Sequence, residues 1–138
     1  MLTPLGGLLG KLVPIFRLGG GGKVGSGAQW QSWIAIDDVL GAICAAIGSE
    51  QLRGPVNVVA PTPVTNAEFT DTLARVLARP AVMTVPPFAL RLAFGDAMTR
   101  EVLLASQRVR PAVLARTGFA FDFETLEPAL RFLLGRSR

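Results

Sequence analysis

Six glycines fall within nine positions, Gly19 to Gly27, and the chain then enters the bulky stretch "QWQSWIAI" rather than a helix-forming one. Glycine tolerates backbone conformations closed to other residues, so such a run suits either a phosphate-cradling turn or a loose entry to a strand. Gly20, Gly22 and Gly25 match the spacing G-x-G-x-x-G. That motif works only where the turn opens directly into a helix whose free amides meet a pyrophosphate. It also needs an acidic residue about 20 positions on, after a second strand, to hold the ribose. Neither condition is met. A P-loop is excluded too, because Lys23 is followed by Val24 and position 17 is Arg17 rather than glycine. The run is expected to be a flexible turn before a strand.

A chain of 138 residues suits one domain. Half of its residues are apolar and only 17% are charged, so a packed core is expected rather than disorder. No uninterrupted apolar run reaches the ~20 residues of a membrane span. The longest, Val39 to Ile47, is flanked by Asp37, Asp38 and Glu50 and reads as a buried helix. The opening "MLTPLGGLLGKLVPIF" lacks a basic segment before its apolar part and reads as an internal helix bracketed by Pro4 and Pro14. The sole cysteine, Cys44, sits on the apolar face of an expected helix; with no partner for a disulfide, a reducing, cytoplasmic setting is the expectation. The net charge of +4 comes mostly from scattered arginines, without the continuous basic stripe of a nucleic-acid binder. Neither nucleic acid nor membrane is expected as a partner.

Periodicity supplies the elements. Ser32 to Ile36 reads as a strand, Asp37 as the N-cap of the next helix, and Val39, Leu40, Ile43, Cys44 and Ile47 as its buried face, with Gly48 as the stop. "RGPVNVVAP" predicts a second strand, Val56 to Ala60. The clearest helix begins at Thr65 and Glu68, spaced as a capping box, with Phe69, Leu73, Val76 and Leu77 as its buried stripe and Pro80 beyond its end. "AVMTVP" predicts an edge strand between prolines. Further helices are expected over "PFALRLAF", "AMTREVLLAS", "PAVLART" and Leu126 to Leu134. In "FAFDF", Phe119, Phe121 and Phe123 alternate on one side, as a strand or as an extended segment docked on the core.

Catalytic chemistry is sparse. Without histidine the chain cannot supply a Ser-His-Asp triad, a Cys-His pair or a histidine-ligated metal. Asp37 and Asp38 at a helix start point about 100° apart, which suits one cap and one solvated acid rather than an acid/base pair.

The motifs "GSGAQWQSWIAIDDVLGAI", "GPVNVVAPTPVTNAEF", "RPAVMTVPPFALRLAFGDA", "LLASQRVRPAVLARTGFAFDF" and "LEPALRFLL" occur in order and carry a resemblance over essentially the whole chain. It resembles the C-terminal portion of NAD(P)-dependent epimerase-like proteins of the extended short-chain dehydrogenase/reductase superfamily, with their C-terminal domain of unknown function. The resemblance implies an α/β fold, a partial Rossmann-type C-terminal lobe with few short strands and about five to seven helices. It implies a remnant of the nucleotide-sugar-epimerase-like domain over residues 1–62 and a small substrate-lobe domain over residues 63–138. The family's glycine motif and Tyr-x-x-x-Lys are absent, since the sequence holds no tyrosine. A truncated or split reading frame, or one piece of a two-piece enzyme, is therefore expected.

By the same resemblance, no cofactor is bound by this chain alone, and NAD(P) is implied for the complete fold. Asn57 and Pro61 would lie beside the nicotinamide end. Gly25, Gly27, Gln29, Trp30 and Trp33 would line or support a cleft for a sugar- or nucleotide-like molecule, although tryptophans also commonly fill cores. Arg108 and Arg110 suit an anionic substrate by their guanidinium geometry, or are simply solvated. The expected partner is the complementary N-terminal half. The alternative is a non-enzymatic interaction module that self-associates through an exposed apolar face, because loss of the Rossmann half would uncover Val56 to Ala60 and the stripe Ile43 to Ile47.

Overall fold

The computed structural model describes residues 1–50, 52–86, 88, 91–92, 95 and 105–136. Among them are five helices, α1 (Gly7–Arg17), α2 (Ile36–Gly48), α3 (Asn66–Leu77), α4 (Ala112–Arg116) and α5 (Leu126–Leu133), with four short strands, β1 (Gly22–Val24), β2 (Trp30–Gln31), β3 (Val64–Thr65) and β4 (Met83–Val85). The α/β class and the short strands agree with the sequence reading. The expected helices "PFALRLAF" and "AMTREVLLAS" lie mainly outside the described residues.

Helix α3 is the centre of the fold because its ends and its inner face are all specified locally. The Thr65 hydroxyl accepts the Glu68 N–H while the Glu68 carboxylate accepts the Thr65 N–H, a complete capping box. Ala78 closes the helix in the left-handed region at φ 52°. Phe69, Leu73, Val76 and Leu77 are buried as the spacing predicts. They meet Leu9, Val13 and Phe16 of α1 and Leu126, Ala129 and Leu130 of α5 in one core. Each such leucine contributes about 1.5–3 kcal/mol by leaving water. At the rim, Arg75 of α3 and Arg131 of α5 share the carboxylate of Glu127, at 2.5 and 2.7 Å. Pro14 lies inside α1 rather than bracketing it.

The glycine run forms a strand of its own. β1 pairs in parallel with β4, Gly22 opposite Met83 and Val24 opposite Val85, so "AVMTVP" is a strand as expected. A Cβ at Gly22 would lie 2.1 Å from the Met83 carbonyl oxygen, and one at Gly21 would lie 2.6 Å from the Phe16 ring. These two glycines are needed for close approach, not for flexibility.

Several expectations fail for tertiary reasons. Regular pairing in the Trp-rich stretch is confined to β2, antiparallel to β3. Beyond it the backbone stays extended and is claimed singly, by the Ala60 N–H on the Trp33 carbonyl and the Leu2 N–H on the Ile34 carbonyl. Ile36 already belongs to α2. Val56 to Ala60 is not a strand, since among the described residues only Ala60 finds a backbone partner there. The N-cap of α2 is Ala35, without a side-chain bond, and Asp37 sits in the first turn instead. The apolar stripe of α2 is not buried: Leu40 is 55%, Ile43 50% and Ile47 83% exposed, and Cys44 is exposed with them. The helix is held by its other side, through Asp38 and Ala42. "FAFDF" is neither helix nor strand and bends at Asp122, with Phe119 edge-on to Phe121 and Phe123 against Phe132.

Candidate functional site

The turn after β1 settles what the glycine run does. Gly25 and Gly27 take positive φ, 55° and 72°, and the turn presents its carbonyls to the start of α3. The Asn66 N–H donates to the Gln29 carbonyl and the Ala67 N–H to the Gly27 carbonyl, both at 2.9 Å. The buried Asn66 side chain accepts the Val24 N–H at 2.7 Å, and the Gln29 amide donates to the Val24 carbonyl. A phosphate cradle needs the reverse, free N–H groups facing outward. Here the helix start is already satisfied by the chain's own oxygens.

Beyond the turn, Trp30 to Trp33 is bonded along both of its edges. β3 takes one edge of it. On the other runs the segment 106–109, which lies 75 or more residues away in sequence. The Gln107 N–H donates to the Trp30 carbonyl, and the Ser106 hydroxyl accepts the Trp30 N–H. The Ser32 hydroxyl donates to the Gln107 carbonyl and accepts the Val109 N–H, each at 2.9 Å. The Arg108 guanidinium stacks 4.3 Å from the centre of the Trp30 ring, a cation–π contact. Trp33 is buried and its indole N–H donates to the Thr62 carbonyl at 2.8 Å.

This clasp walls a cavity of about 230 Å³ bordered by Leu2, Trp30, Gln31, Trp33, Phe69 and Gln107 among others. Of the residues expected from sequence, Trp30 and Trp33 line it and Arg108 lies on the Trp30 ring. Gly25, Gly27 and Gln29 hold the adjoining turn and do not line it. Pro61 is half-buried between two residues tied to Trp33, Ala60 and Thr62. Asn57 and Arg110 are exposed, away from the cavity wall. Sequence reasoning missed Gln31, Ser32, Phe69 and Gln107. Gln31 and Ser32 were findable, since they separate the two tryptophans; Gln107 carried no local signal.

Among the described residues Asp38 is the one deeply buried acid, 2% exposed. Its carboxylate accepts the N–H groups of Asp122 and Phe123. Burial pushes its pKa up, and the two N–H donors oppose that rise. It is neither the cap nor the solvated acid expected for the Asp37–Asp38 pair. It ties the phenylalanine segment to α2, which is a structural task. No group of three or more metal-ligating side chains occurs among the described residues, and no helix among them is long and apolar enough to cross a membrane.

A family model described as a domain of unknown function (DUF1731) matches residues 85–133. An epimerase family protein of Mycobacterium bovis is 43% identical over 136 residues, 99% of this chain and 45% of that protein. The chloroplastic SDR39U1 homolog of Arabidopsis thaliana, also an epimerase family protein, is 38% identical over 94% of this chain and 37% of its own length. The crystal structure of human epimerase family protein SDR39U1 (isoform 2) with NADPH superposes at a TM-score of 0.88 with 36% identity, covering 99% of this chain and 46% of that one. The nucleoside-diphosphate sugar epimerase from Corynebacterium glutamicum superposes at 0.72 with 36% identity, over 97% of this chain and 24% of that one. The chain spans less than half the length of each of these relatives.

Proposed function

Because this chain corresponds in sequence and fold to the C-terminal portion of epimerase family proteins, we propose that it is the substrate-side lobe of an NAD(P)-dependent epimerase or oxidoreductase, inactive by itself. In this reading residues 1–62 are the remnant of the nucleotide-sugar-epimerase-like domain and residues 63–138 the substrate lobe. Hydride chemistry and nicotinamide binding come from a segment outside these 138 residues. The reaction class is oxidation, reduction or epimerisation of a sugar- or nucleotide-like molecule. Trp30, Trp33 and Arg108 serve the substrate side, with Gly25, Gly27 and Gln29 supporting them and Arg110 at the rim; Asn57 and Pro61 face the nicotinamide end.

The observation that carries the reading is the uncovered stripe of α2. Leu40, Ile43 and Ile47 stand at least half exposed on a helix whose other side is already packed. An apolar helical face of this kind is normally buried against another layer. The chain's own chemistry agrees: it has no tyrosine or histidine to donate a proton beside a carbonyl, and its glycine turn is closed to phosphate. Titration of the purified chain with NADPH, read by nucleotide fluorescence, is expected to give no saturable binding and no turnover. Co-expression with the nucleotide-binding half of the mycobacterial relative is expected to restore NADPH binding. Tight NADPH binding by the isolated chain would overturn the reading.

The same exposed stripe favours a second reading, an interaction module that self-associates. Light scattering behind size exclusion separates the two: a concentration-dependent dimer dispersed by Ile43→Gln supports self-association, and a monomer counts against it.

A further inference from the structure

We propose that the cavity walled by Trp30, Trp33 and Phe69 takes an uncharged group of about one ring, with a hydrogen-bonding edge, and not the phosphate of a nucleotide-like molecule. The inference rests on the substrate-lobe reading above and deepens it by naming the chemistry of the guest.

Size is the first argument. At about 230 Å³ the cavity is smaller than the roughly 300–1,000 Å³ of a site for a drug-sized ligand. It admits a single ring or a short branched chain, not a nucleotide. Wall chemistry is the second. Leu2, Leu8, Trp30, Trp33 and Phe69 make most of it apolar, and no charged side chain lines it among the described residues. An anion entering such a wall would lose its hydration with no cation to replace it, which is the costliest kind of burial. The nearest guanidinium, Arg108, stacks on the Trp30 ring and is not part of the wall.

The hydrogen-bonding edge comes from two amides. The Ser32 hydroxyl is spent on the clasp to segment 106–109, whereas Gln31 and Gln107 also border the cavity, and among the described residues neither side chain has a hydrogen-bond partner. A side-chain amide both donates and accepts, so a guest carrying an amide, a hydroxyl or a ring nitrogen satisfies it. Trp30 and Trp33 add aromatic surface to the wall.

The molecule carries its own reporter. Its two tryptophans both border the cavity and it has no tyrosine, so intrinsic emission reads this site directly. Titration with benzamide is expected to change that emission saturably. Benzoate, equal in size but anionic, is expected to bind at least about tenfold more weakly, and glucose 1-phosphate not at all, for want of a charged side chain among the described residues of the wall. Ala105→Leu, which fills the cavity, should abolish the benzamide response. Gln107→Leu, at an exposed position, should weaken it about three- to tenfold through the lost hydrogen bond. Far-UV circular dichroism checks that both variants remain folded, and Gln107→Leu decides the matter if Ala105→Leu does not fold. No saturable response to benzamide, or benzoate or glucose 1-phosphate binding as tightly as benzamide, overturns the proposal. NADPH binding by the chain would sink the lobe reading while leaving this result untouched, so the two failures are distinguishable.

Discussion

Asp38 in the first turn of α2 accepts the backbone N–H of Asp122 at 2.7 Å, across 84 positions of sequence. The neighbouring Phe123 N–H donates to the other carboxylate oxygen at 3.3 Å. One carboxylate thus fastens the phenylalanine segment, and with it the approach to α5, onto α2.

Removing that carboxylate by Asp38→Ala leaves two part-buried N–H groups without their acceptor and should cost about 1–3 kcal/mol. Its pH signature has a definite sign. Burial raises the Asp38 pKa above its ordinary 3.8, so the folded chain holds the proton more firmly than the unfolded one. The stability this adds is complete below 3.8 and is lost as pH rises through the raised value. Urea melts across the acid range should show that decline in the parent chain and not in Asp38→Asn.

Glu127 runs the opposite way. Hydrogen bonds from Arg131 and then Arg75 hold its pKa below the ordinary 4.5. Its contribution is therefore present above 4.5 and lost as pH falls through the lowered value. Glu127→Gln should flatten the acid limb of the stability curve, and 0.5 M salt should mute the same limb in the parent chain because these groups are partly exposed.

The two kinds of glycine in this chain should separate by mutation. Gly22→Ala drives a methyl against the Met83 backbone oxygen. It should cost about 1–3 kcal/mol or more and open the β1–β4 pair. Gly48→Ala meets open space at the end of α2 without a positive φ. It should be neutral or stabilise by up to about 1 kcal/mol. Thermal unfolding of both variants checks the contrast.

Apolar residues should divide just as sharply. Leu73→Ala empties a fully buried site and should cost about 2–5 kcal/mol. Ile47→Gln, at a position 83% exposed, should change the stability of this chain by less than about 0.5 kcal/mol. The same substitution should weaken assembly with a complementary half, measured by co-purification.

Much of the fold was legible because its signals are short-range. Thr65 and Glu68 stand three residues apart, and a capping box needs nothing further. The buried stripe of α3 followed from periodicity in the same way, and Pro80 lies beyond its end as expected, whereas Pro14 fell inside α1. The site was half legible: the tryptophans announced themselves, but segment 106–109 joins them through backbone bonds that any sequence could make. The periodicity of α2 identified a helix and an apolar face correctly and still misjudged its burial, because periodicity reports which residues share a face and says nothing of what stands opposite.

The sequence by itself determined the five described helices, the capping box of α3, the absence of histidine and tyrosine chemistry, and the failure of the glycine run as a nucleotide motif. These depend on residue identity and on contacts within a few positions. Only the tertiary structure decided that Gly22 is there for close packing against Met83, that Asp38 rather than Asp37 carries the structural bond, and that Ser32 clasps a distant segment beside a cavity. Each of those brings together groups far apart along the chain, where the outcome depends on how layers dock, and local propensity has no knowledge of the partner.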